Sequence, residues 1–206
     1  MYLTFDEITK IIEMGFTFIG LIFVVFGWII PYKQRIKEEK RRKKEESEFK
    51  KRQWEKELID RQISCLYGPL SELLREQEIL WELILYQLGR RNIFGDENYR
   101  LSDLPENEQK IWVHYVDTYK IPLQNHMLEI IQNNQHLLYK SEVPESYKVF
   151  LEYVLGWELL DNQKKNGVPN YYEYYYRYNY PVAFNDYVFS TLKILQNRQE
   201  ELVKTL

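Results

Sequence analysis

Three histidines fall within one predicted helix of this 206-residue chain. An imidazole can ligate a metal ion or transfer protons near neutral pH. Two ligands on one helix must lie about one turn apart to hold the same ion, whereas His114, His126 and His136 are separated by twelve and ten residues. The spacing therefore predicts no metal site, and we expect no bound cofactor.

A short polar run, QNNQH at 132–136, interrupts the apolar face of the same helix. Asn134 falls close to that face, and a buried side-chain amide must find hydrogen-bond partners. Those partners are either other protein groups or a bound ligand, and the sequence leaves both interpretations open. Asn134 and His136 are therefore candidate binding residues.

A second candidate site is the segment YYEYYYRYNY at 171–180, which contains seven tyrosines. Tyrosines are enriched at recognition surfaces, because the ring packs while its hydroxyl forms a hydrogen bond. Three roles remain open: a connector that covers the bundle, a contact with a protein, or a nucleotide site in which an arginine meets a phosphate. The candidate binding residues here are Tyr174, Tyr176 and Arg177.

Motifs of the common enzyme families do not occur in the sequence. There is no glycine-rich phosphate loop, no HExxH, no GxSxG and no pair of cysteines. The single cysteine, Cys65, excludes an intramolecular disulfide, which fits a reducing cytoplasm. We expect Cys65 to be a small buried apolar residue. These observations favour a protein without catalytic activity.

The elements that position these residues are predicted to be helices. Apolar residues recur three or four positions apart in four segments, a pattern typical of a helix with one buried face. Gly68-Pro69 and Pro122 fall inside such segments and predict a kink or a brief break. The helices are expected at 59–88, at about 105–139, at 144–166 and from about 181 onward, with a loop at 89–104.

The connections between these helices are short, which predicts a mostly α fold, an antiparallel bundle of about four kinked helices. Asn166-Gly167 is the expected end of the third helix. The inner face of the second helix is predicted to consist of Trp112, Val116, Tyr119, Leu123, Met127, Ile130 and Leu137.

A run of sixteen residues without a charge, GFTFIGLIFVVFGWII, occupies positions 15–30. Extended to 11–31 it is long enough for a single transmembrane helix and admits only Glu13 as a charge. A cleaved signal peptide is disfavoured, because the residues before the run are acidic and no small-residue cleavage site follows it. The residues expected at the membrane interface are Trp28, Tyr32, Lys33 and Arg35.

The arrangement of charge along the chain predicts its orientation. The net charge of −3 divides into −2 over residues 1–32, +5 over 33–61 and −6 over 62–206. Basic residues collect on the cytoplasmic side of a membrane span. We therefore expect a single-pass protein of the cell inner membrane, with residues 1–10 outside and the C-terminus in the cytoplasm.

Residues 32–58 are predicted to form a charged helical stalk that precedes a cytoplasmic domain at 59–206. Glutamates recur four residues before a base, as in Glu39/Lys43 and Glu46/Lys50, and such pairs support an exposed helix. The run KRRKK at 40–44 could bind anionic lipids or nucleic acid. The glutamates around it weaken both uses, and we expect no direct nucleic-acid binding.

Three stretches carry a resemblance: LYGPL at 66–70, IPLQNHMLEIIQNNQHL at 121–137 and VPESYKVFLEYV at 143–154. They resemble a group of uncharacterised bacterial helical proteins that are often membrane-anchored. The resemblance implies a helical fold over about residues 63–202 and no catalytic residues. The layout of a short membrane span and a small cytosolic domain is also similar to that of membrane effectors in bacterial antiphage defence.

These observations predict a non-enzymatic, membrane-anchored helical scaffold or sensor. Its expected partners are the lipid bilayer and either a protein or a second copy of the chain. The alternative is a membrane effector gated by a nucleotide signal in antiphage defence, for which a nucleotide is the possible ligand. Binding of a nucleotide by the cytoplasmic domain would favour the alternative, and a stoichiometric protein partner would favour the scaffold.

Overall fold

The computed structural model describes residues 4–91, 101–139, 143–168 and 180–205, and describes only the backbone at 7–13, 15–31 and 101. These residues are mostly helical, and none of them lies in a strand, which confirms the predicted mostly α fold. The α-helices are α1 (Phe5–Gln62), α2 (Gly68–Leu88), α3 (Glu106–Tyr115), α4 (Ile121–Asn133), α5 (Glu145–Lys165) and α6 (Val182–Thr205). Shorter turns are π-helical at Ile63–Tyr67 and Val116–Lys120, and 3-10 at Leu101–Asp103 and Gln135–Leu137.

The chain divides into two compact units, residues 1–53 and 54–206. In the first unit, the part of α1 beyond residue 32 is almost entirely exposed. The predicted pairs Glu39–Lys43 and Glu46–Lys50 both form, with 2.7 Å between nitrogen and oxygen. In each pair the lysine lowers the pKa of the glutamate by a hydrogen bond and by its charge.

The predicted membrane span, residues 11–31, has a helical backbone that belongs to α1. Its side chains, including that of Trp28, lie outside the described residues, with Met14 as the exception. Among the helices as far as they are described, none has a stretch long and apolar enough to cross a membrane. The span at 11–31 and the stalk boundaries at 32 and 58 stay predictions.

The described residues of the 54–206 unit form a bundle of four helical rods: the end of α1 with α2, α3 with α4, α5, and α6. In each neighbouring pair of rods, residue numbers rise along one rod as they fall along the other, so the packing is antiparallel. Between the first rod and α6 the contacts are Glu55–Arg198 and Glu78–Asn185, and between the first and second rods they are Tyr67–Tyr139 and Trp81–Trp112. Between the second rod and α5 they are Asp117–Lys164 and Gln124–Tyr153, and between α5 and α6 they are Phe150–Phe184 and Tyr153–Tyr180.

Apolar residues three or four positions apart supply most of the buried core, as Tyr147, Phe150, Val154 and Trp157 do on α5 and Phe184, Val188, Leu192 and Leu195 do on α6. At the centre, the rings of Phe150 and Phe184 stack with their centroids 4.0 Å apart and their planes 10° from parallel. The third helix ends as predicted, because Gly167 takes a positive φ of 70° just after α5.

Three expectations are wrong. Tyr119 is 45% exposed and does not belong to the inner face of its helix, whereas Lys120 is buried there. The second helix ends at Asn133 and not at about 139, since Asn134 leaves the helical conformation and a separate 3-10 turn follows. Cys65 is exposed, because the π turn that contains it points the thiol away from the core.

Within the 54–206 unit, the chain passes Pro69 and Pro122 without a break. A proline has no N–H, and its ring clashes with the carbonyl four residues earlier in an α-helix. Here a π turn precedes each proline and widens the helix by one residue, so that helical hydrogen bonding continues. The widened hydrogen bonds run from Gly68 N–H to the Ile63 carbonyl and from Ile121 N–H to the Val116 carbonyl, and Pro69 and Pro122 follow directly.

Replacing Gly68 with alanine is expected to destabilise the protein by about 1–3 kcal/mol. A Cβ at this position would lie 2.5 Å from the Ile63 carbonyl oxygen, which is backbone and cannot move aside without disturbing the π turn. Alanine normally stabilises a helix interior by about 1 kcal/mol over glycine, so the expected sign is the reverse of the usual one. Chemical denaturation of the full-length protein measures it, with Cys65→Ala in the same turn as the control. A stabilised Gly68→Ala would contradict the steric argument.

Candidate functional site

The sequence-predicted site residues fall in different places. Tyr174, Tyr176 and Arg177 lie outside the described residues. Asn134 is half-buried and its side-chain amide donates a 2.9 Å hydrogen bond to the carbonyl of Ile130, one turn earlier. His136 is exposed in the 3-10 turn that follows. Asn134 thus satisfies a local carbonyl at the end of α4.

A groove of about 440 Å³ lies between α2 and the helix that begins with α3. Its walls are mainly aliphatic and aromatic. The α2 wall consists of Leu80, Leu83, Ile84 and Gln87, and the opposite wall of Lys110, Ile111, His114, Tyr115 and Tyr119. The groove was not anticipated from the sequence, because its residues belong to the edges of two predicted apolar faces.

A row of exposed apolar side chains extends the α2 wall into solvent. Ile79 and Leu83 are 58% and 57% exposed, and Tyr86 is 87% exposed. They are spaced four and three residues apart, so they form a second stripe along α2 beside the one that enters the core. The sequence feature that could have revealed this surface is this set of three apolar residues, which lie on α2 beside its buried stripe.

Polar groups occur at the edge of the groove, not at its base. Lys110 is ion-paired with Glu106 at 2.7 Å. His114 is exposed, with its Nδ1 3.2 Å from the Thr118 hydroxyl and its ring edge-on to Tyr119 at 6.0 Å. The groove is therefore suited to an apolar occupant that keeps its polar side in water.

A buried lysine lies directly behind one wall of the groove. Lys120 ends the π turn Val116–Lys120 and is only 9% exposed. Its Nζ lies 3.0 Å from the ring centroid of Trp157, and 5.3 and 5.8 Å from those of Tyr153 and Trp112. Three aromatic rings from α3 and α5 thus enclose the amine.

Burial dominates the electrostatics of this pocket. The loss of water lowers the pKa of Lys120 well below its usual value. Desolvation likewise raises the pKa of Tyr115 to about 12 and raises that of Tyr153, so both phenols stay neutral at ordinary pH. Within the residues that the structure covers, no carboxylate pairs with Lys120. The amine is therefore an ionisable group in an apolar site.

A chain of weak polar contacts leads from this pocket across the bundle. Gln124, one turn after Lys120 and only 1% exposed, has its amide nitrogen 3.4 Å from the Tyr153 hydroxyl. Its Oε1 is buried without a hydrogen-bond partner among the described atoms. Farther along, Tyr180 donates to Asn185. The pocket is thus polar at one side and aromatic at the other.

Lys120 escaped the sequence analysis because of the π turn. In an uninterrupted α-helix that buries Val116, positions 119 and 120 both fall near the buried face, and the aromatic Tyr119 is the expected one of the two. The extra residue in the π turn rotates the following helix, so the inner face continues through Lys120, Gln124 and Met127. A lysine four residues after a buried valine and two before a proline was the only clue in the sequence.

The arrangement offers two physical capabilities: an apolar groove that can accept a helix, and a buried amine that can change its charge. Neither requires a metal or a cofactor. No protein-family model, no curated protein and no solved structure matches the chain.

Proposed function

We propose that this protein is a non-enzymatic, membrane-anchored helical adaptor that binds an amphipathic helix of a protein partner in the groove between α2 and α3. The observation that supports it is the groove itself, together with the exposed row of Ile79, Leu83 and Tyr86. Contiguous exposed apolar surface commonly marks a contact site.

The dimensions of the groove favour a helix as its occupant. From Ile79 to Tyr86 the row extends seven residues along α2, which is about 10 Å or two helical turns. A docked helix presents anchors at i, i+3 or i+4, and i+7, and so would contact both walls over that length. It would pack between two antiparallel helices in the way that bundle helices pack on one another.

A photo-crosslinking residue at position 83 of the full-length protein should react with one partner, and the crosslinked peptide should have the sequence of an amphipathic helix. The matched control is position 159, because Leu159 is 55% exposed on α5 and does not line the groove. A crosslink from position 83 to the same chain would make the groove a self-association surface and overturn the proposed partner.

Leu83→Ser should then weaken binding of that helix, as a synthetic peptide, by about 10- to 100-fold. Burial of one leucine side chain contributes roughly 1.5–3 kcal/mol, which corresponds to that range. Leu159→Ser should leave the affinity unchanged. Titration of a labelled peptide measures both, and equal affinity of the two variants would exclude the groove as the binding site.

The anchor is part of the same proposal and rests on the uncharged run at 15–30 and the basic residues that follow it. A reporter that is active only in the cytoplasm, fused after Leu206, is expected to be active, because basic residues are retained on the cytoplasmic side. The protein should also remain in the membrane fraction after alkaline washing. Activity of a periplasm-specific reporter at the same site would reverse the proposed orientation.

A further inference from the structure

The buried amine and the groove share one structural element, the π turn Val116–Lys120. Tyr119 lies in this turn and Tyr115 directly precedes it, and both line the groove. Lys120, the next residue after Tyr119, points to the other side, into the aromatic pocket. A change that releases Lys120 from its pocket would therefore act on the same short turn that carries the groove wall.

The pocket suits the neutral amine better than the charged one. The faces of Trp112, Tyr153 and Trp157 offer some attraction to a cation. They do not replace the water that a charged amine loses on burial, and no described carboxylate contacts Nζ. Protonation of Lys120 is therefore favoured in any state that exposes the amine to water.

The other ionisable groups around Lys120 do not compensate for its charge. On its own turn, Asp117 is already paired with Lys164 of α5. The phenols of Tyr115 and Tyr153 are held neutral by burial, as is that of Tyr180, which packs edge-on against Tyr153. Asp161 of α5 is paired with Lys165, and His114 lies on the groove side of the turn.

We propose that Lys120 regulates the groove: the turn keeps its helix-binding shape while the amine is buried, and uptake of a proton releases the amine and opens the groove wall. This inference rests on the proposed function for the identity of the occupant, although the opening itself needs no partner. A helix that binds only the closed groove would favour the unprotonated state, and acidification would weaken its binding once the open state is substantially populated.

The sign of the pH dependence follows from linkage. The closed state holds a neutral amine and the open state a charged one, so opening takes up one proton. The open population then rises about tenfold for each unit by which pH falls. This continues down to the pKa of the buried amine, below which both states are charged and the dependence ends.

Hydrogen–deuterium exchange on the full-length protein, without any partner, tests the inference directly. After correction for the intrinsic exchange rate, amides of 112–124 in the wild type should exchange up to about tenfold faster per unit of falling pH. In Lys120→Met the same amides should exchange slowly, and their corrected exchange rate should not change with pH. The dependence of the corrected rate on pH is called the slope below. The helix α6 serves as the internal reference.

Two further variants test which side chain takes up the proton. Lys193→Met removes an exposed lysine on α6 and should keep the wild-type slope, as should His114→Gln. Loss of the slope in His114→Gln would assign the effect to the groove histidine, and an unchanged slope in Lys120→Met would likewise overturn the proposal. Failure of the peptide to bind the groove would refute the proposed function while leaving these exchange results intact.

Discussion

Replacing Lys120 with methionine is expected to raise the free energy of unfolding by about 1–3 kcal/mol at pH 7, whereas most buried substitutions lower it. Methionine has nearly the same length and fills the space between Trp112 and Trp157 without an ionisable group. The lysine has a lowered pKa in the folded protein because of burial, so unfolding at neutral pH is favoured by uptake of a proton. Methionine has no ionisable group, so unfolding of the variant is not favoured by this proton uptake.

The gain from Lys120→Met should depend on pH in a defined direction. The buried lysine is neutral above its folded pKa, whereas the unfolded lysine stays charged up to about pH 10.4. The difference between variant and wild type should therefore shrink as pH rises from 7 towards 10. Urea denaturation in detergent at both pH values measures it, with Lys193→Met as the control. A destabilised Lys120→Met would show instead that the aromatic rings hold a charged amine.

Replacing Phe150 with alanine is expected to lower the free energy of unfolding by about 3–5 kcal/mol. The ring is fully buried between helices and stacks on Phe184 of α6, so its removal leaves a cavity that the rigid bundle fills only in part. Phe49→Ala is the matched control, because Phe49 is 41% exposed on α1. Its loss should cost less than about 1 kcal/mol.

A double-mutant cycle separates the ring contact from burial. Phe150→Ala and Phe184→Ala together should destabilise the protein by less than the sum of the two single changes, because the second substitution removes a contact that is already lost. Aromatic pairs contribute about 0.5–1.5 kcal/mol beyond their buried area. Strict additivity of the two substitutions would contradict the stacked packing of α5 on α6.

Most of the bundle could be predicted because its helices follow a simple period. Phe184, Val188 and Leu195 recur at helical spacing, and the structure buries all three. The ends of helices were predictable where a residue has a special conformation, as at Gly167. The end of α4 was not, because Leu137 continues the helical period after the chain has already left the α-helix at Asn134.

The candidate site could not be predicted for a related reason. Periodicity assumes 3.6 residues per turn, and one wider turn before Pro122 moved the buried position from Tyr119 to Lys120. The groove depends on how two helices far apart in sequence approach each other, which no local pattern encodes. Pro69 and Pro122 indicated where the helices would be irregular, but not that the irregularity would be a π turn.

The antiparallel packing brings the two ends of the 54–206 unit to the same side of the bundle. Glu55, near its start, is ion-paired with Arg198 on α6, and Asp60 accepts a hydrogen bond from Gln199. A force that pulls these two ends apart would break the contacts of α6 one turn at a time, instead of breaking the whole interface at once. Tension along the chain would therefore unfold this unit at a much lower force than its free energy of unfolding in solution suggests.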